Sequence, residues 1–108
     1  MRPRFHADAR REFRRVVDHF AEIDSRVARR FVVAMRETVA RALETPGGGA
    51  LWPGVPHELD VRRRRVPGFK YLSFAYLVAD ETLWIVAVVH DRQLPGYWME
   101  RLRDLPEP

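Results

Sequence analysis

The sequence predicts an α+β fold, a helical hairpin packed on one face of a small, mostly antiparallel β-sheet, in the order β-α-α-β-β-β with a short C-terminal helix. Three observations predict it. Apolar residues recur with helical period from Ala9 to Leu43, and a Pro- and Gly-rich stretch then ends that pattern. After it the period becomes extended, with two strand-sized apolar segments on either side of Asp80-Glu81. Helices grouped ahead of strands are the pattern of an α+β layer architecture.

Phe5 and its neighbours form a short opening strand. The first helix follows from Ala9, with apolar positions Ala9, Phe13, Val16, Val17, Phe20 and Ile23 on one side and Arg, Asp and Glu on the other. Asp24-Ser25 supplies capping side chains for a second helix, whose stripe is Ala28, Phe31, Met35, Val39, Ala42 and Leu43. Thr45-Pro46-Gly47-Gly48-Gly49 stops it, since Pro lacks a donor and Gly relaxes the backbone. So short a connection makes the two helices an antiparallel hairpin. Residues 46–57 read as a loop with Leu51 and Trp52 tucked against the body. Strands are expected at Leu59–Val66, Phe69–Val78 and Leu83–His90, the last two apolar on both faces and so central in the sheet. Leu94-Pro95-Gly96 breaks the chain before one or two helical turns over Tyr97–Leu102.

The 108 residues suit one domain and one core, with residues 103–108 expected to fray. No apolar run approaches the roughly 20 residues of a membrane span. The N-terminus, Met1-Arg2-Pro3-Arg4, has no apolar h-region, so the expected location is cytoplasmic. There is no cysteine for a disulfide or thiolate site. His6, His19 and His57 show no ligand spacing with a carboxylate, and no metal or other cofactor is expected. The sequence pI is about 10.3 and the formal net charge +4. Eighteen of the nineteen cations are Arg, nine lie in residues 1–30, and residues 62–65 are four in a row. A basic face of this kind points to an acidic partner, either nucleic acid or an acidic protein segment.

Three stretches resemble the RelE/ParE toxin superfamily, and in particular its ParE-like branch. They are Phe5-His6-Ala7-Asp8-Ala9-Arg10-Arg11-Glu12-Phe13; Val61-Arg62-Arg63 followed by Val66, Phe69, Tyr71 and Tyr76; and Ala87-Val88-Val89-His90-Asp91-Arg92 followed by Pro95-Gly96-Tyr97-Trp98 and Arg101. The resemblance spans roughly residues 4–102 and implies a RelE/ParE-like fold in agreement with the element order. The departures are Ala7 where the family often has Pro, Gln93 where a second Arg commonly follows Arg92, and Arg64 and Arg65 where an apolar and a small residue are more usual.

The resemblance implies the toxin of a bacterial type II toxin–antitoxin system, of the kind linked to plasmid stabilisation. The ParE-like branch poisons DNA gyrase by protein contact, without catalysis. The alternatives are a RelE-like, ribosome-dependent and metal-independent mRNA endoribonuclease, and a derived interaction module that has lost its toxicity. In each case the partner is an acidic antitoxin, held in a hetero-oligomeric complex by strand addition or helix-in-groove docking. The expected contact residues for antitoxin or target are Arg62 first, then Arg63, with Arg65, Arg92, Tyr97, Trp98 and Arg101. The plain reading of Arg62–Arg65 is a solvated edge strand whose cations discourage aggregation. On a strand these four alternate faces, so the pair turned toward the helices must sit at the sheet margin or meet acids. If the protein is a ribonuclease, His90, Arg92, Tyr97 and Arg101 converge at one end of the sheet, the cations on the phosphorane-like charge and His or Tyr moving protons. Their plain reading is a strand end at His90 and a tail anchored by Tyr97 and Trp98.

Overall fold

The computed structural model describes residues 1–106. Among these, strand β1 (Arg2–Phe5) leads into helix α1 (Ala7–Ile23) and helix α2 (Ser25–Glu44), followed by strands β2 (Ala50–Leu51), β3 (Arg62–Arg65), β4 (Leu72–Ala79) and β5 (Thr82–His90). The sheet order is β1-β5-β4-β3-β2. All neighbours are antiparallel except β1, which runs parallel to β5 with Phe5 opposite Ile85. The predicted helical hairpin on a mostly antiparallel sheet is therefore the observed fold.

Asp24 alone separates the helices. Its N–H donates to Phe20 O and closes α1, while its carboxylate accepts from the Arg26 N–H at 2.8 Å and caps α2. The Arg26 side chain and backbone N–H both hold the Asp24 carboxyl below its ordinary value. Helix α1 begins at Ala7, two residues before the expected start, because the His6 ring acts as the N-cap and accepts from the Asp8 N–H. The β4–β5 turn is two residues long, with both Asp80 and Glu81 at positive φ (51° and 56°), the geometry that matches the twist of a tight hairpin.

Three expected boundaries shift. Strand β3 is shorter than Leu59–Val66, because His57–Leu59 forms a 3₁₀ turn and Asp60 takes up a left-handed conformation (φ 50°). Strand β4 starts at Leu72, because residues 66–72 form a closed loop with Val66 N–H bonded to Leu72 O and Phe69 N–H to Val66 O. The C-terminal turns are 3₁₀ rather than α and run over Met99–Asp104. Of the tail expected to fray, residues 103 and 104 belong to these turns, and residues 107 and 108 lie outside the described residues.

The sheet has two apolar faces, and each is covered. On the helix side Phe31, Met35, Leu72, Phe74, Tyr76, Leu83, Ile85 and Val88 form one core. The rings of Phe13, Phe31, Phe20 and Phe69 run through it with the centroids of neighbouring rings 5.2–5.6 Å apart, each pair worth about 0.5–1.5 kcal/mol beyond burial. On the far side Ala75, Leu77, Val86, Ala87 and Val89 pack under Trp98, Trp52 and Val55. Trp98 has no exposed surface and meets Trp52 edge-on at 5.2 Å. A bulge in β5 divides the faces. Ala75 pairs with Ala87 but Tyr76 with Ile85, so Val86 is the extra residue and joins Ala87 on the far face. No helix among the described residues is long and apolar enough to cross a membrane.

Candidate functional site

Strand β1 ends at Phe5, and the chain then turns into α1, so the ladder to β5 closes with His6 N–H donating to Ile85 O. Beyond that point β5 has no strand on this edge, and its polar groups need other partners. Side chains supply them. The Val88 N–H donates to Glu12 Oε1 at 3.1 Å. Arg101 Nη1 donates to Val86 O at 3.0 Å, and the Tyr97 hydroxyl lies 3.3 Å from Val88 O.

These three side chains also bind one another. Arg101 holds Glu12 through Nη1–Oε1 (2.7 Å) and Nη2–Oε2 (3.0 Å), a two-pronged pair. The Tyr97 hydroxyl donates to Glu12 Oε2 at 2.6 Å, and the Arg101 guanidinium lies 5.3 Å from the Tyr97 ring centroid. Glu12 is buried and its Arg101 partner nearly so. Burial, and then the bond to Glu12, push the Tyr97 hydroxyl well above the ordinary phenol value. Beside this cluster the His6 Nδ1 accepts from the Asp8 N–H, so its Nε2 carries the proton and donates to Asp104 Oδ2 at 2.7 Å. Helix α1, β5 and the C-terminal turns are thus tied together by Glu12 and His6.

The four Arg of β3 divide as alternation requires. Arg62 and Arg64 sit opposite Tyr76 and Phe74, on the helix side, and Arg63 and Arg65 opposite Ala75 and Ser73. The helix-side pair, expected to sit at the sheet margin or meet acids, lies beside the short edge strand β2, and its main partners are backbone carbonyls at and just after the end of α2. Arg62 donates to Gly47 O and Gly49 O and also to Asp60, while Arg64 donates to Thr45 O at 2.8 Å and to the Tyr76 hydroxyl. Cations there satisfy the unpaired carbonyls and the negative end of the helix dipole. The Tyr76 hydroxyl donates to Pro46 O. Gly49 is required here, because a Cβ would stand 2.5 Å from that hydroxyl oxygen and 2.9 Å from Arg63 O.

On the other face Arg63 lies over the Trp52 ring at 5.8 Å, and Arg65 reaches Lys70 O and, at 3.8 Å, Asp91. A groove of about 220 Å³ is lined by Arg63, Ser73, His90, Gln93 and Trp52 among others. The His90 Nδ1 accepts from the Arg92 N–H, and the Arg92 side chain is exposed. Of the four residues considered for ribonuclease chemistry, Tyr97 and Arg101 meet at Glu12, whereas His90 and Arg92 stand outside that cluster. Gln93 connects the two groups, its Oε1 accepting from the His90 N–H at 2.8 Å and lying 3.4 Å from the Tyr97 hydroxyl. Sequence reasoning gave no role to Glu12 or Gln93. Glu12 lies three residues after Ala9 and four before Val16, a carboxylate on the buried stripe of α1, and that position was the available signal.

A family model matches residues 4–95, described as the ParE toxin of type II toxin-antitoxin system, parDE. No curated protein matches the chain. The match takes in the end of β1, both helices and all of β2, β3, β4 and β5, and stops just before Tyr97. This chain belongs to the ParE toxin family of type II toxin–antitoxin systems.

Proposed function

We propose that this toxin acts by protein contact, binding and stalling DNA gyrase in the bacterial cytoplasm, and that an acidic antitoxin neutralises it in a hetero-oligomeric complex. The observation that carries the reading is the engagement of Tyr97 and Arg101 by Glu12. A proton-transfer group must exchange its proton near working pH, and the Tyr97 hydroxyl is held far from that range. Arg101 spends both terminal nitrogens on Glu12 and Val86 O, leaving it poorly placed to meet a phosphate. Arg63 and Arg65 remain as a cationic contact surface on the face away from the helices, with the exposed Arg92 in the turn beyond β5. Arg62 acts behind it by holding the Gly47–Gly49 turn, and the fully buried Trp98 by supporting the sheet from below. The open edge of β1, flanked by Arg2, Arg4 and Arg10, suits an acidic antitoxin segment adding as a further strand.

A second reading, the ribosome-dependent mRNA endoribonuclease, is favoured by one feature, the groove that His90 shares with Arg63. An imidazole beside a guanidinium is a workable pair for phosphoryl chemistry. The deciding experiment sets gyrase supercoiling beside cell-free translation, with purified toxin, with and without antitoxin. Inhibited supercoiling or trapped cleaved DNA, with translation intact, is expected. Intact supercoiling with translation stopped and mRNA cut would replace this reading by the second, and His90→Ala should then restore translation. No effect in either assay, and no growth defect without the antitoxin, would leave an interaction module.

A further inference from the structure

A groove of about 500 Å³ runs between the C-terminal half of α1 and the loop that enters β4. Its floor is apolar, formed by Val16, Phe20, Phe69 and Leu72. Its rim carries Arg15, His19, Lys70 and His90, and among the described residues no Asp or Glu lines it. In a chain with fifteen acids, a groove lined by no carboxylate and bordered by the Arg15 and Lys70 cations has an electropositive rim. Arg15 and Lys70 are exposed and form no ion pair among the described residues. Tyr71, half exposed, stands at the mouth, with the Lys70 ammonium 5.0 Å from its ring and the His90 ring stacked on it at 6.0 Å.

The groove is also preformed. Three backbone bonds close the loop that makes one wall, Val66 N–H to Leu72 O, Phe69 N–H to Val66 O and Leu72 N–H to Phe69 O. Phe69 is fixed against Phe20 and Phe31 at 5.2 and 5.3 Å. An occupant therefore has little ordering to impose on the toxin when it binds.

We infer that this groove docks an acidic segment of a partner protein, which seats an apolar side chain between Phe20 and Phe69 and sets its carboxylates against Arg15 and Lys70. An apolar floor inside a basic rim selects that combination, since a basic segment is repelled and a purely acidic one leaves the floor exposed to water. The surface is separate from the β1 edge and shares only His90 with the groove on the Arg63 face, and the inference does not depend on whether gyrase or mRNA is the target.

The test uses the full chain, labelled with ¹⁵N, and a synthetic peptide of about twelve residues in which Leu and Phe anchors are spaced four apart among glutamates. Amide shifts are expected to gather at residues 15–20, 68–72 and 90. The double variant Arg15→Glu with Lys70→Glu, both at exposed positions, should weaken binding about tenfold. The equally basic control Arg29→Glu with Arg30→Glu on α2 should change it less than about twofold. Replacing the peptide's glutamates by lysine, or its anchors by alanine, should abolish the shifts. The inference is overturned by no binding, by shifts centred on β1 or elsewhere, by equal losses in the two double variants, or by undiminished binding of either control peptide.

Discussion

Removing the Glu12 carboxylate is the sharpest perturbation the fold allows. In Glu12→Ala, the Val88 N–H and the Tyr97 hydroxyl lose their acceptor, and Arg101 keeps only Val86 O and a distant Asp8. Stripping one partner from a buried ion pair costs about 3–5 kcal/mol, because the other charge is left buried and unpaired. The Arg101 side chain is 15 % exposed, so some water reaches it, which places the loss near the lower end, about 3 kcal/mol. A small domain has roughly 5–15 kcal/mol in all, so urea unfolding should show a large fall in midpoint with an unchanged slope. In a thermal scan the same loss corresponds to roughly 12 °C or more. Arg101→Met completes a double-mutant cycle. If the side chains act as a unit, the double variant is markedly more stable than the sum of the two single losses, by about 1.5 kcal/mol or more. A loss below about 1 kcal/mol in Glu12→Ala, or additive single effects, would refute the reasoning that these side chains replace a missing strand on β5.

The other predictions touch the same body at separate points. Tyr97→Phe removes one bond to a carboxylate and should cost about 1.5–2 kcal/mol in chemical unfolding, while inhibition of gyrase is retained; a folded Tyr97→Phe protein that has lost its toxicity would speak for catalysis. Gly49→Ala should destabilise by about 1–3 kcal/mol, because the added methyl meets the Tyr76 hydroxyl and the Arg63 carbonyl, and melting should show this while Gly47→Ala, where nothing lies within 4 Å, stays near wild type. At alkaline pH the folded Tyr97 keeps its proton while the unfolded chain releases it near the ordinary value of 10.0. The stability linked to this proton is therefore complete below that pH and is lost as pH rises above it, so the urea midpoint should fall more steeply above pH ~10 in the wild type than in Tyr97→Phe.

What could be read from the sequence follows the range of the interactions involved. The two helices were legible because their stripes and the Asp24 cap are local, and the β4–β5 hairpin because Asp80-Glu81 stands between two apolar runs. Strand β2 was not, since two residues carry no period and Ala50–Leu51 exists only by pairing with Arg62 and Arg63. The site divides along the same line. That Arg62 and Arg63 face opposite sides follows from strand alternation alone, but that Arg62 is held inward depends on where the Gly47–Gly49 turn after α2 falls, thirteen to fifteen residues away. The Glu12 cluster spans a still longer separation, Tyr97 and Arg101 being eighty-five and eighty-nine residues from the carboxylate they hold. No spacing rule links such positions. A carboxylate on the buried stripe of α1 did announce that some cation had to cover it, because an unpaired buried charge is too costly to keep. Which cation it was depended on the bulge at Val86 and the early end of β1, two backbone features that leave β5 with groups only side chains can satisfy. The same geometry explains how Gln93 serves where the family commonly has an arginine, for its Oε1 accepts from the His90 N–H and ends the strand, a bond that a guanidinium, having only donors, could not make.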